Sequence, residues 1–209
     1  KYVDSYIYKG DDNCYYEKIG ITTRNVTDVI PFDIPDSWIW ARLKSFINVV
    51  SARRVHKSDW QSAGVPFYRA REIAKLAMFG KVNNELFISE ELFKSYKSSG
   101  IPQENDLMVT AVGTIGKTYI VNNKDRFYYK DASVICFENR YGIDPLWIKN
   151  IMDSTYMVEQ VKKFSAGTTV ETITIEKANE YLIPIPPLKE QKRIVEAIRT
   201  IFSKIKDEN

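Results

Sequence analysis

The spacing of apolar and polar residues changes several times along the chain, and each change marks an element. WIWARL (38–43) has strand character, and LKSFINVV after it places apolar residues at helix-like spacing. SARRVHKSDW (51–60) interrupts both patterns as a basic loop. VPFYRA reads as a short strand and REIAKLAMF as a helical turn or more. SEELFKSYKSS (89–99) reads as a helix opened by Ser89, with Glu90 and Glu91 in its first turn and Gly100 placed to end it. In DLMVTAVGTIGKTYIV two β-rich runs flank the small residues GTIG, which predicts a hairpin, and DASVICFE gives a further strand. From 144 to 164, Leu146, Trp147, Ile151, Val158 and Val161 recur at helical spacing behind Pro145, so this stretch predicts the longest helix of the globular part. SAGTTVETI follows as a Gly/Thr-rich loop, and EYLIPIP (180–186) as a last extended edge where prolines are tolerated.

These elements predict a mixed α/β (α+β) domain: a mixed or antiparallel sheet with flanking helices over residues 35–186. Residues 1–34 are polar, acidic and rich in turn formers, and read as an extended lead-in. At 187–209 a projecting helix of coiled-coil type begins, with Pro187 tolerated at its first position. In it Ile194, Ile198, Ile201 and Ile205 follow a 4, 3, 4 spacing, the seam of a heptad pattern that Val195 and Phe202 widen. That seam has two destinations: back onto its own domain, or onto a helix of another chain.

Composition narrows the class. Among 209 residues, 44% hydrophobic and 27% charged with thirteen Tyr and ten Phe, a folded core is expected rather than a disordered chain. No apolar run approaches the roughly 20 residues that cross a bilayer, and the start has neither a signal core nor Met. The expectation is therefore a cytoplasmic piece of a longer chain. Cys14 and Cys136 stand far apart without metal-type spacing and read as reduced thiols. The net charge of +3 is unremarkable, yet residues 42–81 hold nine Lys/Arg against Asp59 and Glu72, a local net of +7. Such segregation is the footprint expected of a face that binds a polyanion.

Catalytic motifs are suggested and then fail. GTIGKT ends like a phosphate-binding loop, but the required glycine is Ala111 and the sequence enters β-rich TYIV instead of a helix. His56, the single histidine, stands three residues before Asp59 without an identifiable nucleophile, so it reads as a loop-ordering residue. Neither a metal-ligand cluster nor a cofactor fingerprint is visible, so no metal and no cofactor are expected. What is left is a set of basic, hydroxyl and aromatic residues at loops and strand ends: Arg53, Arg54, Lys57, Tyr68, Arg69, Arg71, Thr110, Thr114, Lys117, Arg126, Tyr128, Tyr129 and Lys130. Duplex DNA requires cations for its phosphates and planar donor forks for base edges, and hydroxyls add contacts that fix register. An enzyme in its own right and a module whose basic face binds acidic proteins are the alternatives.

The order WIWARL, GVPFYRAREI, DLMVTAVGTIGKTYIV, FYYKDASVICF, GTTVETI and IPIPPLKEQKRIVEAI resembles one half of a specificity subunit of a type I restriction-modification system. The resemblance covers roughly Ile34 to the C-terminus, and the N-terminal YIYKGDDNCYYEKIG looks like the connector into a second target recognition domain. It implies a non-catalytic DNA-recognition domain reading one half of a bipartite double-stranded site. The implied partners are methyltransferase (modification) subunits, a restriction subunit and a second recognition domain, the last through antiparallel spacer helices. It also adds Thr168 to the DNA-facing candidates and assigns the isoleucine seam to the spacer. The first loop departs from the family, with SARRVHK where many members carry a glycine-rich turn, so the target bases are not predicted.

Overall fold

A computed structural model describes residues 5–96, 100–165 and 171–207, with side chains to Ile205. The chain runs through β1 (Ser5–Lys9), β2 (Tyr15–Ile19), β3 (Thr22–Asn25), β4 (Ile39–Arg42), β5 (Asn48–Ser51), β6 (Val65–Tyr68), α1 (Ala70–Phe79), β7 (Phe87–Ile88) and α2 (Glu90–Ser95). It continues through β8 (Leu107–Thr110), β9 (Thr118–Ile120), β10 (Tyr128–Tyr129), β11 (Val134–Glu138), α3 (Pro145–Met152), α4 (Thr155–Ser165), α5 (Ile175–Asn179), β12 (Leu182–Ile185) and α6 (Leu188–Asp207). This is the mixed α/β class the sequence predicts.

At the centre lies an antiparallel sheet in the order β5-β11-β8-β9. Its middle strands are covered on both faces, which is why VICF reads as an unbroken apolar run rather than an alternating one. Leu107, Val109, Ile135 and Phe137 face a core shared with α3, α4 and the root of α6. Met108, Val134 and Cys136 face a second core built on α1, α2 and the small sheet β10-β6-β7. Within that small sheet β10 runs parallel to β6. The predicted edge EYLIPIP is β12, which pairs antiparallel with β4.

Three local expectations change. LKSFINVV is not helical: a 3-10 turn at Leu43–Ser45 gives way to β5, because Val49 and Val50 fit a pleated strand and pair with Phe137 and Cys136. The helix expected over 144–164 is two helices. The Ser154 hydroxyl donates to the Ile151 carbonyl at 2.6 Å and accepts from the Met157 amide at 3.2 Å, ending α3 and capping α4. Residues 5–25 are not an extended lead-in at the level of secondary structure, since β1, β2 and β3 form an antiparallel meander. Ile7, Tyr15 and Val26 bury against Trp40 and Leu182 of the β4-β12 pair. A buried ion network fixes this seam: Glu17, fully buried, accepts from Arg42 at 2.8 Å and from Arg24 at 2.6 and 2.9 Å. Burial pushes the Glu17 carboxyl up, but the two guanidinium groups outweigh it and hold it below its ordinary value.

The helix opened by Ser89 is α2, where the Ser89 hydroxyl accepts from the Leu92 amide at 3.1 Å. Its expected far end, 97–99, lies outside the described residues. The C-terminal helix divides its seam. Gln191 is buried and ties α6 to α3 by accepting from the Asp144 amide at 3.0 Å, while Val195 is buried and Ile194 packs against the main core. Ile198 is half-buried. Further out, Ile201, Phe202 and Ile205 are exposed.

Candidate nucleic-acid interface

Strand register gathers the candidate residues. Opposite Ile135 and Val134 at the start of β11 lie Ser51, the end of β5, and Thr110, the end of β8. The Ala111 amide bonds the Ser133 carbonyl at 2.9 Å, and the Lys130 amide bonds the Tyr68 carbonyl at 2.8 Å. Loops 52–57, 69–71, 111–117 and 130–133 thus meet at one rim, where strands end and backbone is open to a partner.

The first loop is held from below by aromatic posts. Tyr128, fully buried, stacks on Tyr96 with ring centroids 4.8 Å apart, and its hydroxyl accepts from the Arg53 amide at 2.8 Å. The Tyr96 hydroxyl donates to the Arg54 carbonyl at 3.2 Å. Arg53 lies over the Tyr96 ring at 5.9 Å, and Arg54 reaches Asp131 through Nε at 3.0 Å. Lys57 is exposed on a 3-10 turn that the Asp59 carboxylate closes by accepting from the His56 amide at 2.9 Å. His56 and Asp59 therefore order this loop.

The hairpin forms as expected, with Gly113 at φ +79° and Gly116 at φ +76°, where a side chain would be strained. Thr110 is not open at the rim. It is fully buried, its hydroxyl accepts from the Lys117 amide at 2.9 Å and donates to the Thr114 carbonyl, and so it fastens the turn. Thr114 and Lys117 are exposed at the tip, and a strand follows Lys117 rather than a helix, as the failed phosphate-loop spacing implies.

Tyr128 and Tyr129 move from candidate contacts to interior supports, because both are fully buried. Burial pushes the Tyr128 phenol up to about 12, so it stays protonated. Tyr68 is half-buried against Phe127 at 4.8 Å. Lys130 is half-buried at the rim. Arg126 lies before β10, exposed, over the Phe93 ring at 4.9 Å and paired with Glu90. Arg69 and Arg71 are committed to carboxylates. Glu72, with 3% of its side chain exposed, accepts from Arg69 Nε at 3.0 Å and Nη2 at 2.9 Å, and also from Arg71 Nε. Arg71 continues to Glu85 at 2.8 Å. Thr168 lies outside the described residues.

The basic block of 42–81 is therefore largely neutralised in space. Arg42, Lys44, Arg54, Arg69 and Arg71 each meet a carboxylate, several of them from distant segments. Asp131 is the rim residue that composition did not point to. Among the described residues no group of three metal-type side chains converges, and no helix is long and apolar enough to cross a membrane.

Comparison with known proteins agrees with this architecture. The family model "Type I restriction modification DNA specificity domain" matches residues 35–209. A putative type I restriction enzyme specificity subunit of Haemophilus influenzae is 32% identical over 147 residues, covering 68% of this chain and 34% of that protein. The EcoBI specificity subunit of Escherichia coli is 25% identical over 196 residues, covering 90% of this chain and 40% of that protein. In fold, the HsdS subunit from Thermoanaerobacter tengcongensis superposes with a TM-score of 0.61 at 18% identity, over 85% of this chain and 41% of that one. The chain thus spans less than half the length of each.

Proposed function

The chain belongs to the family of type I restriction modification DNA specificity domains, and on that footing we propose that residues 35–186 form a target recognition domain reading one half of a bipartite double-stranded DNA site. Bound there, it directs methyltransferase and restriction subunits to the site, and those subunits supply the chemistry. The observation that carries the proposal is the convergence of Arg53, Arg54, Lys57, Lys117 and Lys130 on loops at one rim, joined by the bonds between β8, β11, β6 and β10. Cations gathered this way neutralise duplex phosphates and release counterions. A salt titration of duplex binding tests it: with about four phosphate contacts, log affinity falls against log salt with a slope of roughly −3 to −4. An affinity that barely changes between low and moderate salt would contradict it.

In this proposal residues 1–34 lead into the domain and residues 187–209 begin a spacer helix. The exposed Ile201 and Phe202 support that assignment, since they lie past the point where α6 leaves its own core and leave an apolar patch open to solvent. The partner is the matching helix of a second recognition domain, running antiparallel. Ile194 is reassigned from that interface to the domain's own core. Replacing Ile201 and Phe202 by Asp is expected to abolish this association while leaving the unfolding midpoint unchanged, as analytical ultracentrifugation and urea titration would report. Association that survives both changes would refute the spacer role.

A further inference from the structure

We propose that Arg54 reads a guanine in the major groove and that Asp131 is the positioning residue that aims it; this rests on the duplex-reading role proposed above. The carboxylate of Asp131 engages Arg54 through Nε alone, at 3.0 Å. Both Nη groups are left without an acceptor among the described residues. Asp131 is the fixed partner, with 16% of its side chain exposed against 70% for Arg54. An arginine held by Nε presents its two terminal nitrogens as a planar fork directed to solvent, and that fork matches the O6 and N7 acceptors of guanine.

Backbone anchoring makes the fork a reader of bases rather than a loose phosphate contact. The Tyr128 hydroxyl receives the Arg53 amide and the Tyr96 hydroxyl donates to the Arg54 carbonyl, so the residue is pinned on both sides. The opposing turn is held too: Ala132 has φ +60°, and the Ser133 amide returns to the Asp131 carbonyl at 2.7 Å. Lys57, which is exposed and has no carboxylate within 4.0 Å among the described residues, has the opposite character, that of a mobile point charge. Preorganisation is what base selection needs, because a misplaced fork loses one of its two bonds.

The test uses the full specificity subunit carrying this domain, assembled with its methyltransferase subunits, on a randomised duplex library read by sequencing methylated molecules. The expected result for R54K and for D131A is a ten- to hundred-fold relaxation at a single position where the parent requires G·C, with the other positions retained. D131N, which keeps an acceptor oxygen, is expected to fall between D131A and the parent. The slope of duplex affinity against salt is expected to stay unchanged in D131A. Arg54 lies mostly in solvent, so R54K keeps the test intact if D131A fails to fold. A uniform loss over all sequences, or unchanged selectivity in R54K, overturns the guanine assignment while leaving duplex recognition standing. A parent complex that selects no sequence through this domain overturns both.

Discussion

Arg54 and Arg69 are both rim arginines bonded to a carboxylate, and they are placed for opposite purposes. Arg54, on the loop after β5, engages Asp131 with one nitrogen and leaves its fork in solvent. Arg69, at the start of α1, gives Nε and Nη2 to Glu72, a side chain only 3% exposed. The carboxylate at the α1 start is fully screened by two arginines, so that region neutralises charge inside the fold. What the pair teaches is that a basic segment is not a basic surface. Of two arginine-rich segments with equal promise in composition, one gives its donors mainly to carboxylates and the other leaves a fork in solvent.

The two arginines are expected to differ most in their effect on stability. R69A removes two side-chain bonds from a buried carboxylate and is expected to cost about 2 to 3 kcal/mol, measured by urea unfolding, because the charge left behind keeps only Arg71 and the backbone amide of residue 69. A loss below about 0.5 kcal/mol would return Arg69 to the surface set. A smaller effect is expected from acid. Burial pushes the Glu72 carboxyl up, but Arg69 and Arg71 outweigh it and keep it below the ordinary 4.5. The folded protein therefore binds this proton less readily than the unfolded chain. Its stabilisation is full above the ordinary value and is lost as pH falls through the lower folded value. The stability gap between the parent and E72Q should accordingly narrow between pH 7 and about pH 3.5. A constant gap would remove the ion pair from the explanation.

The least effect on the fold is expected from the outward loop. R53A with K57A should cost at most about 1 kcal/mol, most of it from the contact of Arg53 with Tyr96. The same double variant should lower the salt slope of duplex binding by roughly 2, one phosphate contact for each cation. An unchanged slope together with a destabilised fold would reverse the two regions' roles.

Local chemistry carried much of this into the sequence. The Ser89 cap, the GTIG hairpin, the strand VPFY with the helix behind it and the edge LIPI all follow from neighbours within a few residues. LKSFINVV did not, since its apolar spacing suits helix or strand and pairing with β11 decides it. Nor did the break at Ser154, where a hydroxyl competes with the helix it interrupts. Charges were least legible. Arg42 meets Glu17 and Lys44 meets Glu180, partners 25 and 136 residues away, so counting signs within 42–81 overstates the cation surface. Tyr128 and Thr110 read as contacts because their polar atoms are visible in sequence while the burial that occupies them is not.

The central claim is that this rim selects one half of a divided target. Its most direct test is to exchange residues 35–186 for another recognition domain in the full subunit and map methylated positions across a genome before and after. One half of the methylated motif is expected to change while the other half stays the same. A motif that is unchanged after the exchange would contradict it.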